Sequence, residues 1–299
     1  MTANSPSAAP LLPPKRQRSR VARLALLVGA LLTIYLLVAY LVVPMLWRHY
    51  EHQPEAEGFP KTTETGSHIP GDPLNIGLVA TEQEAVSGML EAGWVPADPT
   101  TIRSSVHIAE SVLLNRPYPK APVSNLFLFG RKQDLAFEKP DGESAKRRHH
   151  VRFWKAESHG PQGKPLWLGA ATFDLKVGVS HRTGQITHHI APNVDAERNE
   201  VLADLQAVGQ LTTVYQVTGV GLTLVGRNGG GDPYFTDGEL SIGVIADDNK
   251  KQTVAPKTLD NPPLVDLKNE AWSWLLPLVQ TGMPTSLDAT VKPAQPVAH

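Results

Sequence analysis

The chain contains no cysteine among its 299 residues. This absence excludes disulfide bonds, thiolate metal sites and cysteine nucleophiles, so any metal ion would have to be bound by His, Asp or Glu side chains. Histidine is the most noticeable of these residues, because two adjacent pairs, His149-His150 and His188-His189, lie in strand-like segments.

The chain also lacks the basic excess of a nucleic-acid-binding protein. Lys and Arg total 28 residues, and Asp and Glu total 29. Five of the basic residues and none of the acidic ones lie within residues 1–47, which leaves 23 basic against 29 acidic residues in the remainder. This mildly acidic remainder lacks the excess of basic residues with which proteins bind nucleic acid. We therefore predict no nucleic-acid partner.

Several catalytic motifs are missing as well. No Gly-x-Ser-x-Gly elbow is present, so a serine hydrolase has no support. Asp232, with the acidic residues that follow it, does not fit a calcium loop. Arg182 and His188 have the spacing of a membrane lipid phosphatase, but Pro192 stands where that motif needs an Asp to orient the nucleophilic His.

One long stretch lacks charge altogether. The 23 residues from Leu24 to Leu46 are enough, at about 1.5 Å each, to cross a hydrocarbon layer of about 30 Å. The basic cluster before them predicts a transmembrane helix with the N-terminus in the cytoplasm of the cell and the body outside it. A signal peptide is the alternative, although its apolar region is usually about 7 to 15 residues long.

Composition and periodicity predict an α+β fold with a mixed or antiparallel sheet and several packing helices, preceded by the transmembrane helix. The expected segments are a disordered basic cytoplasmic tail (1–23), the transmembrane helix (24–47), a linker (48–72), a globular domain (73–246), and a polar connector with a short amphipathic helix and a disordered tail (247–299).

Three helices carry specific signals. Thr81 followed by Glu84 predicts a capping box, and apolar residues from Ile102 to Leu113 recur at helical spacing. A third apolar stripe follows Pro262-Pro263 and comprises Leu264, Leu267, Ala271, Trp274, Leu275 and Leu278. We expect this stripe to dock on the domain, with contact to a bilayer surface as the alternative.

The histidine pairs must divide between the two faces of their strands, because side chains alternate with period two. His149 should share a face with Val151 and Phe153, and His150 should share the other with Arg152. We expect His150 and His189 to be accessible, and His149 and His188 to be hydrogen-bonded core residues.

This distribution suggests a divalent metal site, with zinc as the example, formed by His150, His189, His181 and Asp174. The alternative is a set of hydrogen-bonded histidines on a sheet. The Arg227-Asn228-Gly229-Gly230-Gly231 segment could likewise form a nest of backbone N–H groups for an anion, although an ordinary glycine turn that requires positive φ is the favoured interpretation.

A set of ordered phrases resembles one family. These are GWVPADP, RPYPKAPVSNLFLFGRKQDLAFE, RHHVRFW, PLWLGAATFD, GVSHRTGQITHHIAP, DAERN and RNGGGDPYFTDG, and they are similar to the LssY C-terminal domain family over about residues 73–246. The resemblance implies a bacterial envelope protein, since the domain often follows multi-span membrane segments of the lipid-phosphatase or DedA type. It implies no activity for the domain itself.

The sequence therefore predicts a single-pass protein of the inner membrane with its main domain in the periplasm. We expect the domain to act as a binding or accessory module, with another envelope membrane protein as a possible partner. One alternative is a metal-dependent hydrolase of a phosphate- or lipid-like substrate. Another is a structural scaffold for a membrane protein.

Overall fold

The structure is a computed structural model, and it describes residues 20–51, 59–97, 125–142, 147–160, 163–182, 184, 186–219 and 224–283. The chain divides into two compact units, residues 1–49 and residues 50–299. The predicted helix between Ile102 and Leu113 lies outside the described residues.

The N-terminal unit is helical. Helix α1 (Arg20–Leu37) passes through a π-helical segment (Val38–Val42) into α2 (Val43–Glu51). Its large apolar side chains are exposed, which suits a lipid-facing surface. The stretch Arg20–Arg48 is long and apolar enough to cross a membrane, although a signal sequence near an N-terminus has the same properties.

The second unit is built around a large β-sheet. Nine strands form it within the described residues: β3 (Ile76–Val79), β4 (Val95–Pro96), β7 (Leu135–Pro140), β8 (Arg148–His159), β9 (Pro165–Val179), β10 (Ile186–Ile190), β11 (Leu211–Thr218), β14 (Glu239–Ile245) and β15 (Lys257–Thr258). Their order is β15-β11-β14-β3-β9-β8-β7-β4, and β10 pairs with β9 off this path.

Most neighbours in this sheet are antiparallel, whereas β14 pairs with β3 and β11 pairs with β15 in parallel. Together with the packing helices, this mixed sheet confirms the predicted α+β class.

Smaller sheets complete the unit. β1 (Thr62–Thr65), β2 (Pro70–Pro73), β5 (Leu126–Leu128) and β6 (Arg131–Lys132) form one sheet in the order β2-β1-β5-β6, and β12 (Val225–Arg227) pairs with β13 (Pro233–Phe235). The segment expected to be a linker, residues 48–72, thus contributes β1 and most of β2 to the fold. The polar sequence of this segment did not predict these strands, because β1 is held by backbone hydrogen bonds to β2 and β5 and not by an apolar face.

Helix α3 (Glu82–Glu91) begins with the predicted capping box. Thr81 Oγ1 accepts a hydrogen bond from the Glu84 backbone N–H (3.2 Å), and Glu84 Oε2 accepts one from the Thr81 N–H (2.8 Å). The reciprocal bonds satisfy two backbone donors that the helix leaves free. Helix α4 (Val194–Ala207) is capped by Asn193, whose side chain accepts from the Ala196 N–H.

Apolar side chains form separate cores on the two faces of the central sheet. One core contains Val151 and Phe153 together with apolar residues of α3 and α4, so we name this side the helix face. The other contains Trp154 and Leu168 with Leu126 of the small sheet, and we name it the cavity face. Both sides of the central strands are therefore covered.

The C-terminal helix, α5 (Pro263–Thr281), differs from its predicted orientation. Val265 and Trp272 are buried, and Lys268 Nζ lies 2.5 Å from Glu239 Oε1. Most of the predicted docking stripe points outward, with Leu267, Trp274, Leu275 and Leu278 all exposed. The expectation that this stripe docks on the domain is wrong. The ion pair of Lys268 with Glu239 helps to fix the opposite side of the helix to the domain. A pattern of apolar residues does not predict such a contact.

Candidate functional site

The two histidine pairs meet at one point of the central sheet. They lie on β8 and β10, and both strands pair with β9. Asp174 of β9 is opposite Arg148 of β8 and Ile190 of β10, with a β-bulge between His189 and Ile190. Bulges redirect side chains and are frequent beside functional sites.

His149 lies on the helix face, as parity predicted. Its Nδ1 is 2.9 Å from Glu197 Oε2 of α4, and its ring packs edge-on against Phe173. Burial works to lower the pKa of His149, but the hydrogen bond and the charge of Glu197 outweigh it and raise that pKa. Burial raises the pKa of Glu197 to about 7 despite the bond to His149. In the folded protein, the pair of His149 and Glu197 therefore keeps a proton at a pH at which an ordinary glutamate carboxyl group would have lost it.

His150 lies on the cavity face and is 1% exposed. Burial, then the charges of Arg152 and Arg148, hold its pKa well below the usual value, so the imidazole is neutral. Its Nε2 has no hydrogen-bond partner in the described part of the chain.

The expectation that His150 and His189 are accessible is wrong, since both are buried, whereas the side chains of His149 and His188 are 19% and 17% exposed. Parity assigned the faces of β8 correctly but could not show that a second layer covers the cavity face.

Arg148 organises the first part of a buried charge network. Its Nη1 donates to Glu138 Oε2 at 2.7 Å, and its Nε donates to Asp174 Oδ2 at 3.1 Å. Its Nη2 lies 3.3 Å from His188 Nε2. Burial lowers the pKa of His188, although the charge of Asp174 opposes the change. His188 is therefore held mainly as a neutral ring.

Asp72 organises the second part. Arg152 Nη1 donates to Asp72 Oδ2 (3.3 Å), and Asn228 Nδ2 donates to Asp72 Oδ1 (3.3 Å). Burial raises the pKa of Asp72, while Arg152 works to lower it. Asn228 Oδ1 in turn accepts from the Asp232 backbone N–H. The network thus links the four-stranded small sheet, the central sheet and the glycine-rich loop, which comprises residues 227–231.

A cavity of about 240 Å³ opens among these elements. Thr172 lies in its wall, is 1% exposed, and has a hydroxyl with no hydrogen-bond partner among the described residues. An unsatisfied buried hydroxyl is unfavourable by about 1–3 kcal/mol. The polar groups of the wall include those of Asp72, Arg152, Thr172, Asp174, Ser180, Thr187, His188, Asn228, Gly229 and Gly230.

The glycine-rich loop is partly closed on itself. Arg227 Nη1 donates to the Gly231 carbonyl (2.8 Å), so its guanidinium contributes to the turn. Gly229 and Gly230 line the cavity. Their backbone N–H groups donate to no acceptor within the described chain. Two residues with unpaired N–H groups in the described chain therefore line the cavity, and the predicted anion site itself stays a prediction.

His181, His189 and Asp232 form a compact cluster beside the cavity. His189 Nδ1 lies 2.7 Å from Asp232 Oδ1, and His181 Nε2 lies 4.0 Å from the same oxygen. The two rings have their centroids 5.2 Å apart. One ligand atom from each residue lies within 4.8 Å of the others, a spacing that could hold a metal ion.

The four residues predicted as metal ligands are therefore divided. The structure brings His181 and His189 together, and it places Asp174 and His150 in and beside the Arg148 network. Asp232 joins the two histidines instead. The sequence did not single out Asp72 or Thr172. Asp72 fell in the expected linker, and a threonine within an apolar strand carries no signal by itself.

Comparison with known proteins identifies the family. The profile of the LssY C-terminus family matches residues 56–240, which is more than half of the chain. The chain belongs to the LssY C-terminus family. The matched region begins before β1, so the LssY C-terminus domain includes Asp72 and the small sheet. No curated protein and no solved structure matches the chain.

Proposed function

We propose that this chain is a membrane-anchored envelope protein whose LssY C-terminus domain binds a small hydroxylated ligand in the cavity. The apolar helix at Arg20–Arg48 supports the anchor. The basic residues on its N-terminal side favour a cytoplasmic N-terminus and an extracytoplasmic domain. The volume of the cavity favours a small ligand, since pockets for drug-sized ligands have volumes of about 300–1,000 Å³.

The observation that carries this proposal is the unsatisfied Thr172 hydroxyl on the cavity wall. Buried polar groups nearly always have a partner, so an exception needs an explanation. The neighbouring wall offers carboxylate acceptors from Asp72 and Asp174, and backbone donors from Gly229 and Gly230. A hydroxyl group both donates and accepts, and can therefore use both kinds of partner. An inorganic phosphate ion would be repelled by the two carboxylates, because they line the same cavity.

Substitution of Thr172 by valine tests the proposal. A hydroxyl that binds a ligand is needed for affinity, whereas a hydroxyl that is merely unsatisfied only lowers stability. Valine removes the unsatisfied group at nearly constant volume, so the free energy of unfolding without ligand should rise by about 1 kcal/mol. Binding of a hydroxylated probe should weaken at least about fivefold, since one hydrogen bond is lost. Glycerol, glucose, inositol, glycerol 3-phosphate and inorganic phosphate form a suitable panel for thermal-shift and calorimetric measurements.

Thr218→Val is the matched control. Thr218 is buried like Thr172, but its hydroxyl donates to Glu239 Oε2 at 2.6 Å, away from the residues that line the cavity. This variant should lose stability and leave probe binding unchanged. The proposal fails if no hydroxylated probe binds at millimolar concentration, or if Thr172→Val binds every probe as tightly as the natural chain. If inorganic phosphate were the only probe that bound, the ligand would be an anion and the proposal of a hydroxylated ligand would be wrong.

A further inference from the structure

Three side chains from separate segments converge beside the cavity. His181 follows β9, His189 lies on β10, and Asp232 follows the glycine-rich loop. We propose that His181, His189 and Asp232 bind a divalent metal ion such as zinc. This inference does not depend on the cavity ligand, because metal binding can be measured without one.

The donor set suits zinc. Two imidazole nitrogens and one carboxylate oxygen supply three protein ligands, which leaves a fourth position of a tetrahedral site open. His181 is the exposed member, with its side chain 67% accessible, and the side chains of His189 and Asp232 are almost fully buried. An ion can therefore approach from the His181 side and be held by the two buried ligands.

The two histidine–carboxylate distances require small adjustments, and the ligand atoms of the two histidines lie within 4.8 Å of each other. Ligand atoms at about 2.0–2.1 Å from a tetrahedral zinc ion lie roughly 3.4 Å from each other. The His189–Asp232 separation of 2.7 Å must widen, and the His181–Asp232 separation of 4.0 Å must narrow, each by about 0.6–0.7 Å. The ion would lie between His189 Nδ1 and Asp232 Oδ1 and replace their direct contact.

The surrounding backbone fixes the two buried ligands. Asp232 Oδ2 accepts from the Ile190 N–H (3.2 Å), which leaves Oδ1 directed at the histidines. The imidazole of His189 lies over Gly178, where a Cβ atom would come within 2.4 Å of Nε2. Such outer contacts orient metal ligands and increase affinity.

The His181 segment is fixed to the same loop. Its backbone N–H donates to the Gly230 carbonyl at 2.9 Å. Gly231 has a φ of 90°, and a Cβ there would lie only 3.0 Å from the His181 Cβ. The third ligand is thus held next to Asp232 by a backbone conformation that favours glycine.

The charge of the surrounding network gives independent support. Four carboxyl groups are buried around the site, those of Asp72, Glu138, Asp174 and Asp232, against the two buried guanidinium groups of Arg148 and Arg152. A divalent cation would offset the charge of the neighbouring carboxylates in a region of low dielectric constant, where unpaired charge is most unfavourable.

Metal titration of the full chain tests the proposal. The protein is purified in detergent without a polyhistidine tag, stripped with EDTA, and titrated with Zn²⁺ by calorimetry and with Co²⁺ by visible absorption. We expect one ion per chain with micromolar or tighter affinity. His181→Ala and Asp232→Asn should each weaken binding at least about tenfold, since losing a ligand should cost no less than losing an outer contact.

His159→Ala is the matched control for His181→Ala, because His159 is also an exposed histidine at the end of a strand. This variant should bind zinc like the natural chain, and His181→Ala should keep its melting temperature without metal. Thr172→Val should also keep its zinc affinity, which separates this site from the cavity ligand. A natural chain that binds neither ion below about 100 µM overturns the proposal. Equal loss of affinity in His159→Ala and His181→Ala does so as well, because binding would then be generic to surface histidines.

Discussion

The two faces of the central sheet bury their side chains by different means. On the helix face, Val151 and Phe153 pack against α3 and α4, and one pair of titratable groups, His149 and Glu197, lies among them. On the cavity face, the neighbouring Arg148 and Arg152 of the same strand bind buried carboxylates. Alternate residues of one strand therefore supply an apolar core and a polar network.

This difference separates a face that is covered mainly by apolar packing from a face that also buries a network of charges. Apolar burial stabilises a fold directly, at about 25 cal/mol per Å². Buried ion pairs contribute less, because the loss of hydration can exceed the attraction between the charges. A domain that needed only stability could extend the apolar core of the cavity face over the positions of Arg148 and Arg152. The network next to the cavity agrees with the proposal that its polar groups are held in position for a ligand.

The largest expected effect comes from breaking the network at Arg148. Arg148→Ala leaves Glu138 and Asp174 buried without their guanidinium partner, and removing one member of a buried ion pair typically reduces stability by about 3–5 kcal/mol. Urea denaturation of the full chain in detergent measures the change.

Arg147→Ala is the control for this experiment. Arg147 is the preceding residue, but its ion pair with Asp141 is partly solvent-exposed, so its loss should cost no more than about 1 kcal/mol. If both variants lost the same stability, the contrast between a buried network and an ordinary surface pair would not hold.

A smaller effect is expected on the helix face, where stability should depend on pH through Glu197. Its pKa of about 7 in the folded state lies above the ordinary glutamate value of 4.5. Between these values the folded chain retains a proton that the unfolded chain has released, so stability falls as pH rises. The pKa of His149 is also raised, so the loss of stability continues at pH values above the ordinary histidine pKa of 6.5. Glu197→Gln cannot titrate, and should remove on the order of 2 kcal/mol of the change between pH 5 and pH 8.

The exposed pair Glu64 and His68 provides the control for this prediction. His68 Nδ1 lies 3.2 Å from Glu64 Oε2, but both side chains are largely in solvent. Glu64→Gln should therefore leave the pH dependence as it is. An unchanged slope in Glu197→Gln, measured by urea denaturation at several pH values, would contradict the assignment of a shared proton to the buried pair.

Local patterns predicted local features of both faces. The capping box at Thr81 and the division of His149 from His150 each depend on residues close together in the chain. The network could not be predicted in this way, since Asp72 lies 80 residues from Arg152 and 156 from Asn228. Parity likewise shows which residues share a face, but not whether another layer covers that face. Asp232 joins His189 only because the glycine-rich loop folds back onto β10.

The smallest expected effect is that of Trp274→Ala in α5, and Trp272 of the same helix supplies the comparison between a covered and an uncovered surface. Trp272 and Trp274 are two residues apart, yet Trp272 is 8% exposed and Trp274 is 76% exposed. Trp272→Ala should destabilise the domain by roughly 3 kcal/mol, as expected for a large core residue. Trp274→Ala should change the free energy of unfolding by less than about 0.5 kcal/mol, because it loses no packing within the described chain. A loss of 2 kcal/mol or more at Trp274 would show that this apolar face is covered in the folded protein. The outward stripe of α5 would then be a packing surface like the helix face of the central sheet.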